Sequence, residues 1–109
     1  MGKSSDRDEF RKRHDKVGKG HPVYIYAKIG KEYKCIGITH DDITRSLNGK
    51  GKTVNIKLEK NPDPEDKSTA YMHPTPDKVK TKHFGKPLQG WKLSQKDKAK
   101  ADEIKKKGK

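Results

Sequence analysis

The sequence is short of apolar residues. Of its 109 residues, 27% are hydrophobic and 6% are aromatic. Its longest uninterrupted apolar stretch runs from Val23 to Ala27, whereas a membrane-spanning helix needs roughly 20 such residues. Because a polar segment cannot offset its ordering entropy by burying apolar surface, the core must be small, and we expect roughly 60–75 ordered residues.

Cysteine is nearly absent. The single Cys35 excludes an internal disulfide and a cysteine-based zinc cluster. Its place in an apolar, strand-like stretch predicts a small buried residue. The first ten residues contain no apolar signal segment, so a cytoplasmic location is expected.

No cofactor or metal is predicted. A zinc site built from Cys35, His73 and His83 would match no usual ligand spacing. Several carboxylates lie in predicted loops, where aspartate more often forms turns than binds Mg²⁺. These carboxylates are Asp41, Asp42, Asp63, Glu65 and Asp66.

Negative charge is also scarce relative to positive charge. The 28 lysines and arginines outnumber 15 acidic residues, which gives a formal net charge of +13. Such an excess attracts polyanions, of which nucleic acid is the commonest, and makes the binding strongly dependent on salt. The first hypothesis is therefore a small monomeric protein that binds nucleic acid and does not enter membranes.

Composition divides the chain into three segments. Residues 1–21 are predicted to form a basic N-terminal arm, partly flexible, with a short helix that Ser5 would cap. Residues 22–93 are predicted to form a single α+β domain. Residues 94–109 are predicted to form a C-terminal helix and a basic tail, because Ser94 stands three residues before Asp97 as in a capping box.

Strands are predicted from two-residue periodicity. Residues 22–29 alternate, with Val23, Ile25, Ala27 and Ile29 on one buried face. Residues 33–39 should pair with them as a hairpin.

Weaker patterns complete the predicted fold. Residues 53–58 read as a third strand with Val54, Ile56 and Leu58 inward. Residues 70–73 and 79–84 read as short strands, and residues 41–47 as one or two helical turns. The predicted fold is α+β: an antiparallel sheet of three to four strands, one or two peripheral helices, and basic flexible termini.

Two tyrosines suggest how bases would be bound. Tyr24 and Tyr26 lie on the face opposite the predicted core, and with Lys28 and Lys34 they would form a stacking platform for unpaired bases. In the alternative, a helix covers this face and both rings are core. Further phosphate contacts are expected from a set of basic residues, namely Arg11, Lys12, Arg13, Lys50, Lys52 and Lys82.

Histidines at strand ends suggest a second function. If the strands that end at His40 and His73 are neighbours, the two imidazoles and a lysine, Lys57 or Lys82, would suit metal-free RNA cleavage. One imidazole would accept the 2′-hydroxyl proton and the other would protonate the leaving oxygen. The alternative is that both are ordinary surface histidines.

Three segments carry a resemblance: GITH at 37–40, NIKLEKNPDPEDKSTAYMHP at 55–74 and GWKLSQKDK at 90–98. They resemble small basic hypothetical proteins of bacterial phages and mobile elements. Some of those are similar to the barnase–EndoU–colicin–RelE class of metal-independent RNase toxins. The resemblance implies helices packed on an antiparallel sheet and RNA cleavage, with the active-site positions His40, Thr53, Lys57 and His73.

Three functions therefore stand as hypotheses. The first is nucleic-acid binding, with RNA expected rather than DNA, although the sequence by itself does not choose between them. The second is a metal-independent, toxin-like RNase. The third is a basic inhibitor or adaptor that docks on an acidic protein partner.

Overall fold

The fold is almost entirely antiparallel strands. A computed structural model of the protein describes residues 4–14, 20–45 and 51–107. The strands are β1 (Ser4–Arg13), β2 (His21–Ile29), β3 (Glu32–Thr39), β4 (Ile43–Arg45), β5 (Lys52–Val54), β6 (Ile56–Lys57), β7 (Tyr71–Met72), β8 (Asp77–Lys80) and β9 (Phe84–Pro87). A 3₁₀ turn (Thr81–His83) joins β8 to β9, and the helix α1 spans Gln95–Lys106. Within the described ranges, no helix is both long enough and apolar enough to cross a bilayer.

Seven of the strands form one curled sheet. Its order is β6-β7-β3-β2-β1-β9, with β8 also paired to β3, while β4 and β5 form a separate two-stranded ribbon. The predicted sheet of three to four strands with one or two peripheral helices is therefore wrong. The sheet dominates, and the described residues contain a single α-helix.

The N-terminal segment causes much of this difference. The predicted helix there is wrong, because Ser4–Arg13 is a strand paired with β2 on one side and with β9 on the other. Phe10 anchors it, with ring centroids 5.2 Å from Tyr24 and 5.6 Å from Trp91. One buried aromatic ring and two ladders of backbone hydrogen bonds thus hold a segment whose composition is mostly charged.

The hairpin of β2 and β3 is confirmed, but the prediction of a single buried face is wrong. Val23–Ala27 is buried at five consecutive positions. Ile25 pairs with Cys35 and Ala27 with Lys34, so Tyr26 is an extra residue in β2. A bulge of this kind breaks the alternation, and it brings Ala27 to the side of the sheet on which Tyr24 lies.

Each face of β2 therefore has its own core. The helix-side core includes Phe10, Tyr24, Ile36, Met72 and Ile104 among its members. The second core, on the other face, consists of Val23, Ile25, Tyr33, Cys35 and Val79, with Phe84 packed against it. Cys35 is fully buried, as predicted.

The second core is closed by the segment from β8 to β9. β8 pairs with β3 and β9 pairs with β1, so the chain between them crosses this face of the sheet. Phe84 meets Tyr33 edge-on at 5.1 Å between ring centroids. The single strand predicted over residues 79–84 is thus two strands separated by a 3₁₀ turn.

The third predicted strand is also divided. β5 pairs with β4. The helical turns predicted over residues 41–47 are therefore wrong for the described part of that segment, which contains the strand β4. Asn55 interrupts the strand, and Val54, expected to point inward, is 67% exposed. Ile56 and Leu58 do reach the helix-side core, and the fourth predicted strand is observed as β7.

The C-terminal helix begins as predicted. Ser94 is its N-cap, and its Oγ accepts a hydrogen bond from the Asp97 backbone N–H at 3.2 Å. The Asp97 carboxylate is fully buried and accepts from the backbone N–H groups of Glu59 (2.8 Å) and Lys60 (3.2 Å). Lys100 Nζ lies 3.3 Å from the same carboxylate, so one side chain ties α1 to the segment that follows β6.

Substitution of Asp97 is therefore expected to destabilise the fold. Asp97→Ala should lower the free energy of unfolding by about 2–4 kcal/mol, because it leaves buried donors without an acceptor. Asp102→Ala is the matched control, since Asp102 also pairs with a lysine three residues on (3.0 Å) but is exposed. It should change stability by about 0.5 kcal/mol or less. Urea denaturation measures both, and equal losses would contradict this role of Asp97.

Candidate nucleic-acid interface

The predicted stacking tyrosines are covered. Tyr24 and Tyr26 are buried in the helix-side core beneath α1, so the alternative in which a helix covers this face is the one observed. Lys105 Nζ lies 5.4 Å from the centroid of the Tyr26 ring. Bases therefore have no open platform on these two rings.

Tyr24 takes part in a polar junction between three elements. Its hydroxyl donates to Asp8 Oδ1 at 2.9 Å, and Lys98 Nζ donates to Asp8 Oδ2 at 2.9 Å. Burial raises the pKa of Tyr24 well above its usual value, and the hydrogen bond to Asp8 adds to the effect. Burial alone would raise the pKa of Asp8, but hydrogen bonds from Lys98 and Tyr24 outweigh it and lower that pKa. The junction holds β1, β2 and α1 together.

A cluster of lysines lies beside the end of α1. Lys34 and Lys78 are direct cross-strand partners in the β3–β8 pair, and Lys80 lies two residues further along β8. One small depression is lined by Tyr26, Lys34, Pro76, Asp77 and Lys78. Lys107 reaches the Pro74 carbonyl at 3.4 Å. We call Lys34, Lys78, Lys80, Lys105 and Lys107 the lysine surface.

The charges of this surface are unevenly compensated. Lys105 pairs with Asp102 at 3.0 Å. Lys34 and Lys78 take part in no ion pair among the described residues, although Asp77 borders the same depression. Lys80 lies directly opposite Glu32 in the β3–β8 pair. Of the lysine surface, sequence analysis identified only Lys34. The signal it missed is the alternation of Lys78, Val79 and Lys80, which places both lysines on one face of β8.

The other predicted phosphate contacts are dispersed. Arg11 packs over the Tyr33 ring and donates to the Gly85 carbonyl at 2.9 Å, and Arg13 pairs with Asp77 at 2.9 Å. Both arginines thus help to hold β1. The remaining predicted lysines lie on separate elements or, for Lys50, outside the described residues: Lys12, Lys28, Lys50, Lys52 and Lys82.

Three of the four predicted catalytic residues do not line the groove that His73 borders. His40 is exposed, with its Nε2 3.0 Å from Asp66 Oδ2. Lys57 is exposed on β6, and Thr53 is exposed on the β4–β5 ribbon. None of the three lines the groove in which His73 lies.

His73 borders an open groove of about 510 Å³ on the sheet face opposite α1. We call it the His73 groove. Its lining comprises Arg13, His21, Pro22, Val23, Gly37, Ile38, Thr39, Asp41, Thr44, His73, Thr75 and Asp77. The histidine that lines this groove together with His73 is thus His21, which sequence analysis assigned to the arm.

The register of β3 against β2 and β7 explains why His21, and not His40, lines the groove with His73. Ile38 pairs with Met72 in the β3–β7 ladder, and the His73 backbone N–H donates to the Gly37 carbonyl at 3.0 Å. His73 is therefore aligned with Gly37, while His40 lies three residues further along the chain and pairs with a different loop. Val23 pairs with Gly37 from the other side, which places His21, two residues earlier, on the same face as His73.

Gly37 makes room for the His73 ring. A Cβ at position 37 would lie 2.5 Å from His73 Cδ2, closer than real contacts allow. The absence of a side chain therefore lets the imidazole rest on the β3 backbone and face the groove.

Asn55 fixes the rim of the groove. Its Nδ2 donates to the Asp41 carbonyl at 2.9 Å and to Thr44 Oγ1 at 2.7 Å. Its backbone N–H donates to the Asp42 carbonyl at 2.8 Å. The break in the third predicted strand thus has a role, because the buried amide joins the β4–β5 ribbon to the sheet.

Asp66 organises the loop that contacts His40. The backbone N–H and hydroxyl of Ser68 donate to Asp66 Oδ1 at 2.9 and 2.7 Å. These hydrogen bonds, with a smaller contribution from His40, lower the pKa of Asp66 to about 2. The arrangement reads as a local turn built around an aspartate.

Within the described parts of the chain, no three histidine, cysteine, aspartate or glutamate side chains are grouped so as to hold a metal ion. Comparisons with protein-family models, curated proteins and solved structures found no significant match. The resemblance to phage proteins and RNase toxins therefore stays a prediction.

Gly37→Ala is expected to displace the His73 ring. The added methyl group should cost about 1–3 kcal/mol of stability, as overpacking usually does. In a His73→Ala background the same substitution should cost less, because the ring that it meets is gone. Urea denaturation of the four proteins in this double-mutant cycle provides the test, and additive costs would contradict the contact.

Asp66 is expected to titrate with a midpoint near 2 rather than at the ordinary 3.8. Because its pKa is lowered on folding, its stabilising contribution is present above the ordinary value and is lost as the pH falls toward the folded value. Carbon-detected NMR of the carboxyl group measures the midpoint. Ser68→Ala should move it up further than His40→Gln does, and the reverse order would contradict the assignment of causes.

Proposed function

We propose that the protein binds nucleic acid through the lysine surface, with RNA as the expected ligand. The observation that carries the proposal is the pairing of Lys34 with Lys78 directly across two antiparallel strands. Like charges at directly opposed positions destabilise a sheet. A phosphate between them would remove that repulsion.

The surroundings of this pair support a polyanion as the ligand. Lys80 continues the row along β8, and Lys105 and Lys107 extend it onto the end of α1. Lysine ends are flexible point charges that can each follow a different phosphate. A ligand with several phosphates in succession therefore fits this surface better than a single small anion does.

Burial of the aromatic residues indicates how the ligand is recognised. Of the seven aromatic residues, Phe10, Tyr24, Tyr26 and Tyr33 are buried. Trp91 and Phe84 are partly buried against the two cores, and Tyr71 is half-buried on β7, so few ring faces are open to bases. Contacts to phosphates carry no sequence information by themselves. We therefore expect binding that is largely independent of sequence and strongly dependent on salt.

The two other hypotheses are RNA cleavage and docking on an acidic protein partner. Cleavage by His40 and His73 is not part of the proposal, because these residues do not line a common groove. An acidic protein partner would use the same lysines, and so it is distinguished by experiment.

Fluorescence anisotropy with labelled single-stranded RNA, and with DNA of the same sequence, tests the proposal. Wild type should bind at about 50 mM salt and lose most of its affinity by about 200 mM. Lys34→Gln/Lys78→Gln should weaken binding and reduce the slope of log K against log salt by about 1–2, because two phosphate contacts are lost.

The matched control is Lys60→Gln/Lys67→Gln. Both lysines are exposed, and the Lys60 backbone N–H donates to Asp97 in the first turn of α1, which is about 12 Å along the helix from Lys105 at 1.5 Å per residue. The control removes the same charge and should retain most of the affinity. Equal losses in both double variants would contradict a localised interface, and no binding at low salt would favour an acidic protein partner.

A further inference from the structure

The lysine surface offers a ligand positive charge but no open aromatic ring. Tyr26 is the aromatic residue that lines the depression between Lys34 and Lys78. It is 8% exposed, and Lys105 Nζ lies 5.4 Å from the centroid of its ring. A nucleic acid that approaches these lysines therefore meets ammonium groups and finds no ring on which a base could stack.

The aromatic rings that are only partly buried lie elsewhere. Tyr71 pairs with the β3 residue five positions beyond Lys34. Because successive residues of a strand point to opposite faces, Tyr71 lies on the face opposite the lysine surface. Phe84 packs against the core on that opposite face. Trp91 packs against Phe10 on β1, which β2 separates from β3.

We propose that the lysine surface binds double-stranded RNA in preference to single-stranded RNA. The inference rests on the proposed function, since it takes the lysine surface as the site and RNA as the ligand. It adds the form of the RNA, which is a duplex whose bases stay stacked inside while its phosphates face the protein.

A single strand gains little at this surface beyond the attraction of its charge. Proteins that hold single strands stack bases on aromatic side chains, and each stacked base strengthens binding about five-fold or more. A flexible strand also loses conformational freedom when it is held, and this loss weakens binding. A duplex is already ordered, and its bases need no partner from the protein.

A duplex also presents phosphates to the same lysines at a higher density. A DNA duplex carries about one negative charge per 1.7 Å of its length, counting both strands. Each phosphate contact then releases about 0.9 counterions from such a duplex, against about 0.7 from a single strand. We expect a similar difference for an RNA duplex, which also holds two phosphate backbones side by side.

The layout of the lysines favours a ligand that brings several phosphates at once. Lys107 contacts the Pro74 carbonyl, six residues before Lys80, so the row spans up to about 20 Å along this edge of the sheet. Two carboxylates border the row, because Asp77 lines the depression and Glu32 lies opposite Lys80. They offset part of the positive charge, so a ligand with closely spaced phosphates is held better than one with widely spaced phosphates.

Fluorescence anisotropy with two RNAs of equal phosphate number tests the inference. One is a duplex of about 16 base pairs, a length that small duplex-binding modules span, and the other is an unstructured single strand with twice as many nucleotides as one strand of the duplex. At about 50 mM salt the duplex should bind about ten-fold more tightly, and the preference should shrink as salt rises, because counterion release causes it. A single strand that binds as tightly as the duplex would overturn the inference, whereas absence of binding by both RNAs would overturn the proposed function.

Lysine variants test whether the preference arises at the lysine surface. Lys34→Gln/Lys78→Gln should lose about three-fold more affinity for the duplex than for the single strand at about 50 mM salt, because each lost contact had released more counterions from the duplex. The control Lys60→Gln/Lys67→Gln should keep the wild-type ratio of the two affinities. Equal changes of this ratio in both double variants would mean that the preference arises outside the lysine surface, and the inference would be wrong.

A second measurement tests directly whether the protein contacts bases. The single-stranded RNA is compared with the same strand in which the central bases are replaced by abasic nucleotides, so that the phosphates are unchanged. The two affinities should agree within about two-fold, because the lysines contact phosphates and not bases. A loss of about five-fold or more for each base removed would indicate stacking on a ring and would overturn the inference.

Discussion

The structure depends on the burial of one strand on both of its faces. Val23–Ala27 is covered on one side by α1 and on the other by the segment from β8 to β9. In a chain with 27% hydrophobic residues, few apolar side chains are left for other strands. Accordingly, β1 contributes one apolar side chain, Phe10, to the core, and α1 contributes little more than Ala101 and Ile104.

Buried polar groups supplement these small cores. Asp97 satisfies backbone donors of the segment after β6, and Asp8 joins the Tyr24 hydroxyl to Lys98. Asn55 plays a similar part at the rim of the His73 groove. Each of these side chains accepts or donates to more than one partner, so it fixes the relative position of elements that share little apolar contact.

The two faces of the sheet differ in their chemistry. The lysine surface consists of cationic side chains, whereas the His73 groove is bordered by cationic, anionic and imidazole side chains. Both are bordered by β8, the strand whose alternating residues turn to opposite faces.

Local patterns in the sequence determined the β2–β3 hairpin, the burial of Cys35 and the start of α1 at Ser94, because each depends on residues close together in the chain. Only the tertiary structure decided the rest. The bulge at Tyr26 changes which face Ala27 occupies. The register of β3 between β2 and β7 places His21 and His73 along one groove, which His40 does not line. Such pairings join distant residues, and a shift by one position would turn every side chain to the other face.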